Sequence, residues 1–161
     1  MEKSYLERSG AVLNTISKVE QYLSLLRLPQ CEVRIITLMN KDSMEMTHED
    51  RSWLAKELAL LLLNENPVVI THGTDTMVET GLYLQQAFSD LKVPVTLTGA
   101  MSPLGFEGSD ALQNLTESLF AAQLLSPGVS IVIHGQVFPV HRARKDKKLS
   151  TFVAIEKGLP Q

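Results

Sequence analysis

The stretch Val68-Val69-Ile70-Thr71-His72-Gly73-Thr74-Asp75-Thr76-Met77-Val78-Glu79-Thr80 decides the fold. Residues suited to a buried strand run straight into a polar elbow, and a helical pattern starts directly behind it. Val68, Val69 and Ile70 are β-branched and Pro67 marks the start, which predicts a central strand of a parallel sheet. Gly73 permits the tight turn, and Thr74 or Asp75 is expected to cap the following helix. Open α/β sheets bind ligands at the carboxyl ends of their strands, often against helix N-termini. The hydroxyls of Thr74 and Thr76 and the carboxylate of Asp75 are therefore expected to face a small substrate. The competing reading makes them helix caps and nothing more.

Downstream, apolar spacing predicts a helix from Thr76 to Phe88 with Met77, Gly81, Leu84 and Phe88 on one side. A strand over Val93–Thr98 ends in Gly99-Ala100-Met101-Ser102-Pro103. A loop then leads to a helix over Ser109–Leu125, with Leu112, Leu115 and Leu119 facing the core. Pro127-Gly128 turns into a last buried strand, Val129–Ile133, followed by a short extension over Gly135–Val140. The charged run Arg142–Lys148 comes next, and residues 153–161 are expected to fray.

Upstream, residues 1–10 show no period and are expected to form a loop. A helix is expected over Asn14–Arg27, stopped by Pro29, and a strand over Cys31–Leu38, with a polar loop through Ser43 at its end. Thr47 with Asp50 three positions on has the form of a helix cap, and Trp53, Leu54, Leu58, Leu61 and Leu62 follow on one face. Strands alternate with helices, so the expected fold is α/β: a three-layer, mostly parallel, flavodoxin- or Rossmann-like sheet with helices on both faces. The chain should form one domain over 1–161. It opens without a strand, although the first strand of a doubly wound fold normally lies mid-sheet. Its two neighbours would then expose unpaired inner edges.

Composition excludes several classes. With 44% apolar and 20% charged residues and a net charge of −3, nothing points to nucleic acid or a membrane surface. The single cysteine, Cys31, offers no intramolecular disulfide or zinc cluster and is expected to be a buried small hydrophobe. His48, His72, His134 and His141 lack metal-ligand spacing, and a structural role is expected for His72. No long apolar run or leader-like segment is present, so the expected location is cytoplasmic.

Four segments together resemble the N-terminal domain of the bacterial-type L-asparaginase/glutaminase family, in its short single-domain form. These are Ile70–Met77, Leu97–Met101 with Pro103, Ser109-Asp110 with Asn114-Leu115, and Val137-Phe138 with Arg142–Lys145. The resemblance implies hydrolysis of a side-chain amide to a carboxylate and ammonia by catalytic threonines, without cofactor or metal. It implies that Thr74 is a catalytic hydroxyl, that Lys145 accepts its proton and that Asp75 orients the lysine. A threonine hydroxyl is a poor nucleophile until a base takes its proton, and a lysine serves as that base when burial lowers its pKa. Asp75 would also attract a substrate α-ammonium group. Ser43 would bind the α-carboxylate, Ala100 would receive the side-chain amide on its carbonyl, and Gly73 and Met44 would line the site. A homo-oligomer, dimer or tetramer, is the family expectation.

Two departures accompany the resemblance. Met44 stands where full-length members often carry a glutamine, which weakens the case for free asparagine. The family's first signature, a Thr-Gly-Gly-Thr turn after the first strand, is absent. Tyr5 matches the tyrosine that follows that turn and would polarise its hydroxyl. The gap corresponds to about ten residues, a strand and its turn, and the expectation is that Met1 is an internal methionine. The alternative is a binding or relic domain that keeps the pocket without the nucleophile. Asp110 and Asn114 are expected to be a helix start and a local hydrogen-bonding pair. The run around Lys145 is, on the bland reading, a solvated face. Thr98 could replace the nucleophile only by facing the crevice.

Overall fold

The computed structural model describes residues 3–6, 10–13, 19–29 and 31–155, the first two segments by their backbone. Four strands form the main sheet: β3 (Val68–Thr71), β4 (Pro94–Thr98), β5 (Gly128–Ile133) and β6 (Gln136–Pro139), in that order. Three of them, β3, β4 and β5, are parallel, and β6 returns antiparallel against β5. Each parallel pair is joined through a helix, α3 (Met77–Ala87) after β3 and α4 (Ala111–Ala122) after β4. The expected α/β architecture is therefore present.

Period-two alternation along β4 separates two different faces. Val95 and Leu97 point to an apolar core shared with Met77 and Leu84 of α3, Ile131 and Ile133 of β5, and Leu54 and Leu58 of α2 (His48–Leu62). The opposite face is polar and belongs to α4. There the Thr98 hydroxyl donates to the Val132 carbonyl at 2.8 Å and the Ser118 hydroxyl to the Asn114 carbonyl at 2.7 Å. Buried hydroxyls survive there because each has an acceptor. The capping signal before α2 was legible: Thr47 Oγ1 accepts from the Asp50 N–H and the Asp50 carboxylate accepts from the Thr47 N–H.

Several expectations are corrected. Among the described residues β3 ends the sheet rather than centring it, and β4, buried along its whole length, lies inside it between β3 and β5. Cys31–Leu38 forms no strand, and Cys31 is only half-buried. Without a partner strand among the described residues, its backbone groups gain nothing from an extended ladder. The expected N-terminal loop instead contains β1 (Lys3–Leu6), which pairs antiparallel with β2 (Gly10–Leu13), and among the described residues of the predicted first helix α1 spans Val19–Leu23. Residues 14–18 lie outside the described residues. Trp53 faces outward, whereas Ala55 turns inward beside Leu54 and Leu58. The charged run forms part of a second hairpin, β7 (Ala143–Asp146) with β8 (Thr151–Ala154), in which Lys145 lies opposite Phe152, and Val153 and Ala154 of the stretch expected to fray end β8. Phe152 is fully buried, so this hairpin is anchored by core packing that alternation over four residues does not announce. Residues 156–161 of the same end lie outside the described residues. No helix among the described residues is long and apolar enough to cross a membrane.

Candidate active site

The elbow after β3 is built from both sides. The His72 N–H donates to the Thr98 carbonyl at 2.8 Å, which carries the β3–β4 pairing one residue past the strand. Gly99 makes this possible: a Cβ there would lie 2.2 Å from the His72 carbonyl oxygen. No flexible side chain can yield at that contact, so the elbow and the end of β4 meet only because residue 99 has no side chain.

His72 is 6% exposed, and its ring spans the turn. Its Nδ1 is 2.6 Å from the Gly73 carbonyl and its Nε2 is 3.0 Å from the Thr80 hydroxyl, which also accepts from Arg51 Nε at 3.1 Å. A carbonyl only accepts, so Nδ1 carries the proton and Nε2 accepts from Thr80. One polarity satisfies the whole series from Arg51 to Gly73. Burial pushes the His72 pKa from 6.5 down to about 4; the Gly73 hydrogen bond opposes this and the Arg51 cation adds to it. The ring is thus neutral, and its hydrogen bonds are structural, the role expected from sequence.

The two candidate caps do not cap. Thr76 is the N-cap of α3 by position and makes no side-chain cap bond. Its hydroxyl instead donates to the Ser43 carbonyl at 2.6 Å and pins the 3-10 turn Ser43–Glu45 to the elbow. Thr74 and Asp75 both meet Lys145. The ammonium Nζ lies 2.7 Å from Thr74 Oγ1 and 2.8 Å from Asp75 Oδ1. Thr74 is 6% exposed, while Asp75 is open to solvent and Lys145 is half-buried. About 70 residues of sequence separate the lysine from the elbow, and the β7–β8 hairpin closes that distance.

Ser43 is 1% exposed, and among the described residues its hydroxyl is the buried side-chain polar atom with no hydrogen-bond partner. An unpaired buried hydroxyl costs about 1–3 kcal/mol, so a ligand that accepts from it offsets a standing penalty. Gly73 is buried within the turn, and Ala100 is half-buried at the end of β4. Met44 is 74% exposed, which removes it from the core and leaves it at most at the rim. Tyr5 lies on β1, and its side chain is outside the described residues. Thr98 faces α4, not the elbow, so it does not substitute as a nucleophile.

Asp110 and Asn114 do form the expected local pair, Asn114 Nδ2 to Asp110 Oδ2 at 2.8 Å, and they do more. Asp110 accepts from the N–H groups of Met101 at 3.1 Å and Ser102 at 2.9 Å, the two residues after Ala100. Burial alone would raise its pKa, but these bonds, with those from His134 and Asn114, hold it below the usual carboxylate value. Asn114, fully buried, donates to the Gly99 carbonyl and accepts from the His134 N–H. The roles of Thr76 and His134 were missed. Both depend on partners at least 17 residues away, for which local spacing carries no signal.

A family model described as Asparaginase, N-terminal matches residues 3–158. The L-asparaginase of Thermococcus kodakarensis is 31% identical over 108 residues, covering 67% of this chain and 33% of that protein. A glutamyl-tRNA(Gln) amidotransferase subunit from Aeropyrum pernix is 31% identical over 153 residues, covering 91% of this chain and 34% of that protein. The structure of the thermostable L-asparaginase from T. kodakarensis matches with a TM-score of 0.83 at 25% identity, over 94% of this chain and 47% of that one. The chain spans between about a fifth and a third of the length of the curated relatives it matches.

Proposed function

Because the chain belongs to the asparaginase family through its N-terminal domain, we propose that it serves an amidohydrolase that converts a side-chain amide and water to a carboxylate and ammonia. The observation that carries this is the contact of Lys145 Nζ with both Thr74 Oγ1 and Asp75 Oδ1. As an amine, Nζ accepts the Thr74 proton while donating to Asp75; as an ammonium, it donates to both. The same two distances serve each state, so the proton moves without rearrangement of heavy atoms.

The substrate assignment rests on two further features. The unpaired Ser43 hydroxyl matches an acceptor such as an α-carboxylate, and Thr76 holds Ser43 beside the elbow. Asp75, open to solvent, offers a charge for an α-ammonium group. L-Asparagine or a related small amide fits both. The reading has Thr74, Asp75 and Lys145 manage the proton, with Ala100 receiving the amide and Tyr5 assisting from the N-terminal hairpin. Membership in a family of small-amide enzymes also carries the proposal of a homo-oligomer in the cytoplasm, acting without metal or cofactor.

A second reading is a domain that binds the amide without turning it over, since the unpaired Ser43 hydroxyl and the exposed Asp75 carboxylate would by themselves serve binding. Ammonia release from L-asparagine and L-glutamine, measured alongside ligand binding by calorimetry, separates the two. Turnover that Thr74→Ala and Lys145→Met each reduce at least a hundredfold supports the hydrolase. Binding without turnover supports the second reading, and absence of both refutes the site.

A further inference from the structure

His134 occupies a position whose backbone and side chain are both committed. With φ of 52°, followed by Gly135 at 72°, it forms the two-residue turn between β5 and β6. Turns with two positive φ values take Asn-Gly or Asp-Gly by preference, so a histidine there accepts a left-handed backbone that a smaller residue would adopt more readily. The turn is held from α4: the His134 N–H donates to Asn114 Oδ1 at 3.0 Å and the Gly135 N–H to Glu117 Oε2 at 2.7 Å.

The imidazole reaches in two directions. Its Nε2 is 2.7 Å from Asp110 Oδ2, and its Nδ1 is 2.8 Å from Thr151 Oγ1. An ionised carboxylate only accepts, so Nε2 carries a proton. Nδ1 then accepts from the Thr151 hydroxyl when the ring is neutral and donates to it when charged; a hydroxyl serves either way. The connection therefore does not depend on the charge of the ring. Asp110 also holds the N–H groups of Met101 and Ser102, directly after Ala100. Thr151 begins β8, next to Phe152, which pairs with Lys145.

We propose that His134 is a positioning residue that ties the Lys145 hairpin to the loop after β4, through Thr151 on one side and Asp110 on the other. It touches no reacting atom. It fixes the spacing between the lysine that handles the proton and the backbone that receives the amide, and in that sense the inference rests on the hydrolase reading. Neither end of the connection holds the other without the ring, because Thr151 and Asp110 have no other bond between them among the described residues.

The test uses the full chain and two variants. His134→Asn keeps a residue tolerant of the left-handed backbone but too short to bridge. Thr151→Val keeps a β-branched strand residue and deletes the hydroxyl. In amide-proton NMR spectra, Thr151→Val shifts the Met101 and Ser102 resonances of the wild-type background, and the shift is lost in the His134→Asn background. Unmoved Met101 and Ser102 amides in Thr151→Val overturn the proposal. In ammonia-release kinetics, each variant lowers kcat about tenfold with KM changed less than about twofold, and the double variant is no worse than either single one. Additive losses, or a rise in KM at constant kcat, overturn it. The NMR arm needs no turnover, so an inactive wild type refutes the hydrolase reading while the amide shifts still decide the role of His134.

Discussion

Acidification should weaken the fold through His72 before it touches the carboxylates. The ring titrates at 6.5 when unfolded and at about 4 when buried. A folded value below the unfolded one means that the unfolded chain binds the proton more readily. The stabilisation is therefore present above pH 6.5 and is lost as pH falls through the folded value. Over the whole range, the fall from 6.5 to about 4 corresponds to about 3 kcal/mol. Between about pH 7 and pH 5, where His72 is protonated in the unfolded state only, about 2 kcal/mol of this should disappear. The lowered carboxylates Glu49, Asp50 and Asp110 have reference values of 4.5, 3.8 and 3.8, so their contribution falls away mainly below that window. Urea unfolding at the two pH values gives the free-energy difference, and NMR of the His72 ring gives the protonation directly. Protonation of the buried ring would force the Thr80 hydroxyl to turn from donating to Nε2 to accepting from it. Equal stability at pH 7 and 5, or a His72 resonance that titrates near 6.5, would refute the assigned tautomer and the burial argument together.

Three substitutions test the other supports of the site. Gly99→Ala should cost about 3 kcal/mol in urea unfolding, the upper end for overpacking, because the added Cβ meets a backbone carbonyl that only a shift of β3 can relieve; a loss under about 1 kcal/mol would mean the elbow moves freely. Ser43→Ala should move stability and affinity in opposite directions: the unliganded protein gains about 1 kcal/mol by losing an unpaired buried hydroxyl, while substrate KM rises about tenfold. A destabilised Ser43→Ala would reveal a partner for that hydroxyl within the protein. Thr47→Ala removes the oxygen that accepts from the Asp50 N–H and should cost about 1 kcal/mol by thermal unfolding, with kcat unchanged.

Local rules carried the reading where the determining contact lies within a few residues. The β-branched run Val68–Ile70, the Thr47–Asp50 cap and the alternation of strands with helices each have a short-range physical cause, and each formed. The Thr74–Asp75–Lys145 group was legible only by resemblance, because composition around Lys145 looks like a solvated face. Long-range pairing decided what the sequence left open. Whether Val68–Thr71 is central or terminal depends on which strands are beside it, and no periodicity encodes a neighbour. Cys31–Leu38 has strand composition but no strand, since β-propensity expresses packing against partners more than a backbone preference.

By itself the sequence determined the residue types at the elbow, the helices that flank β4 and the family to which they belong. Tertiary structure alone decided that the Thr76 hydroxyl turns to Ser43, that His72 is neutral, and that His134 joins Asp110 to Thr151. Those outcomes depend on desolvation and on partners brought together by folding, and both exist only once the chain has closed on itself.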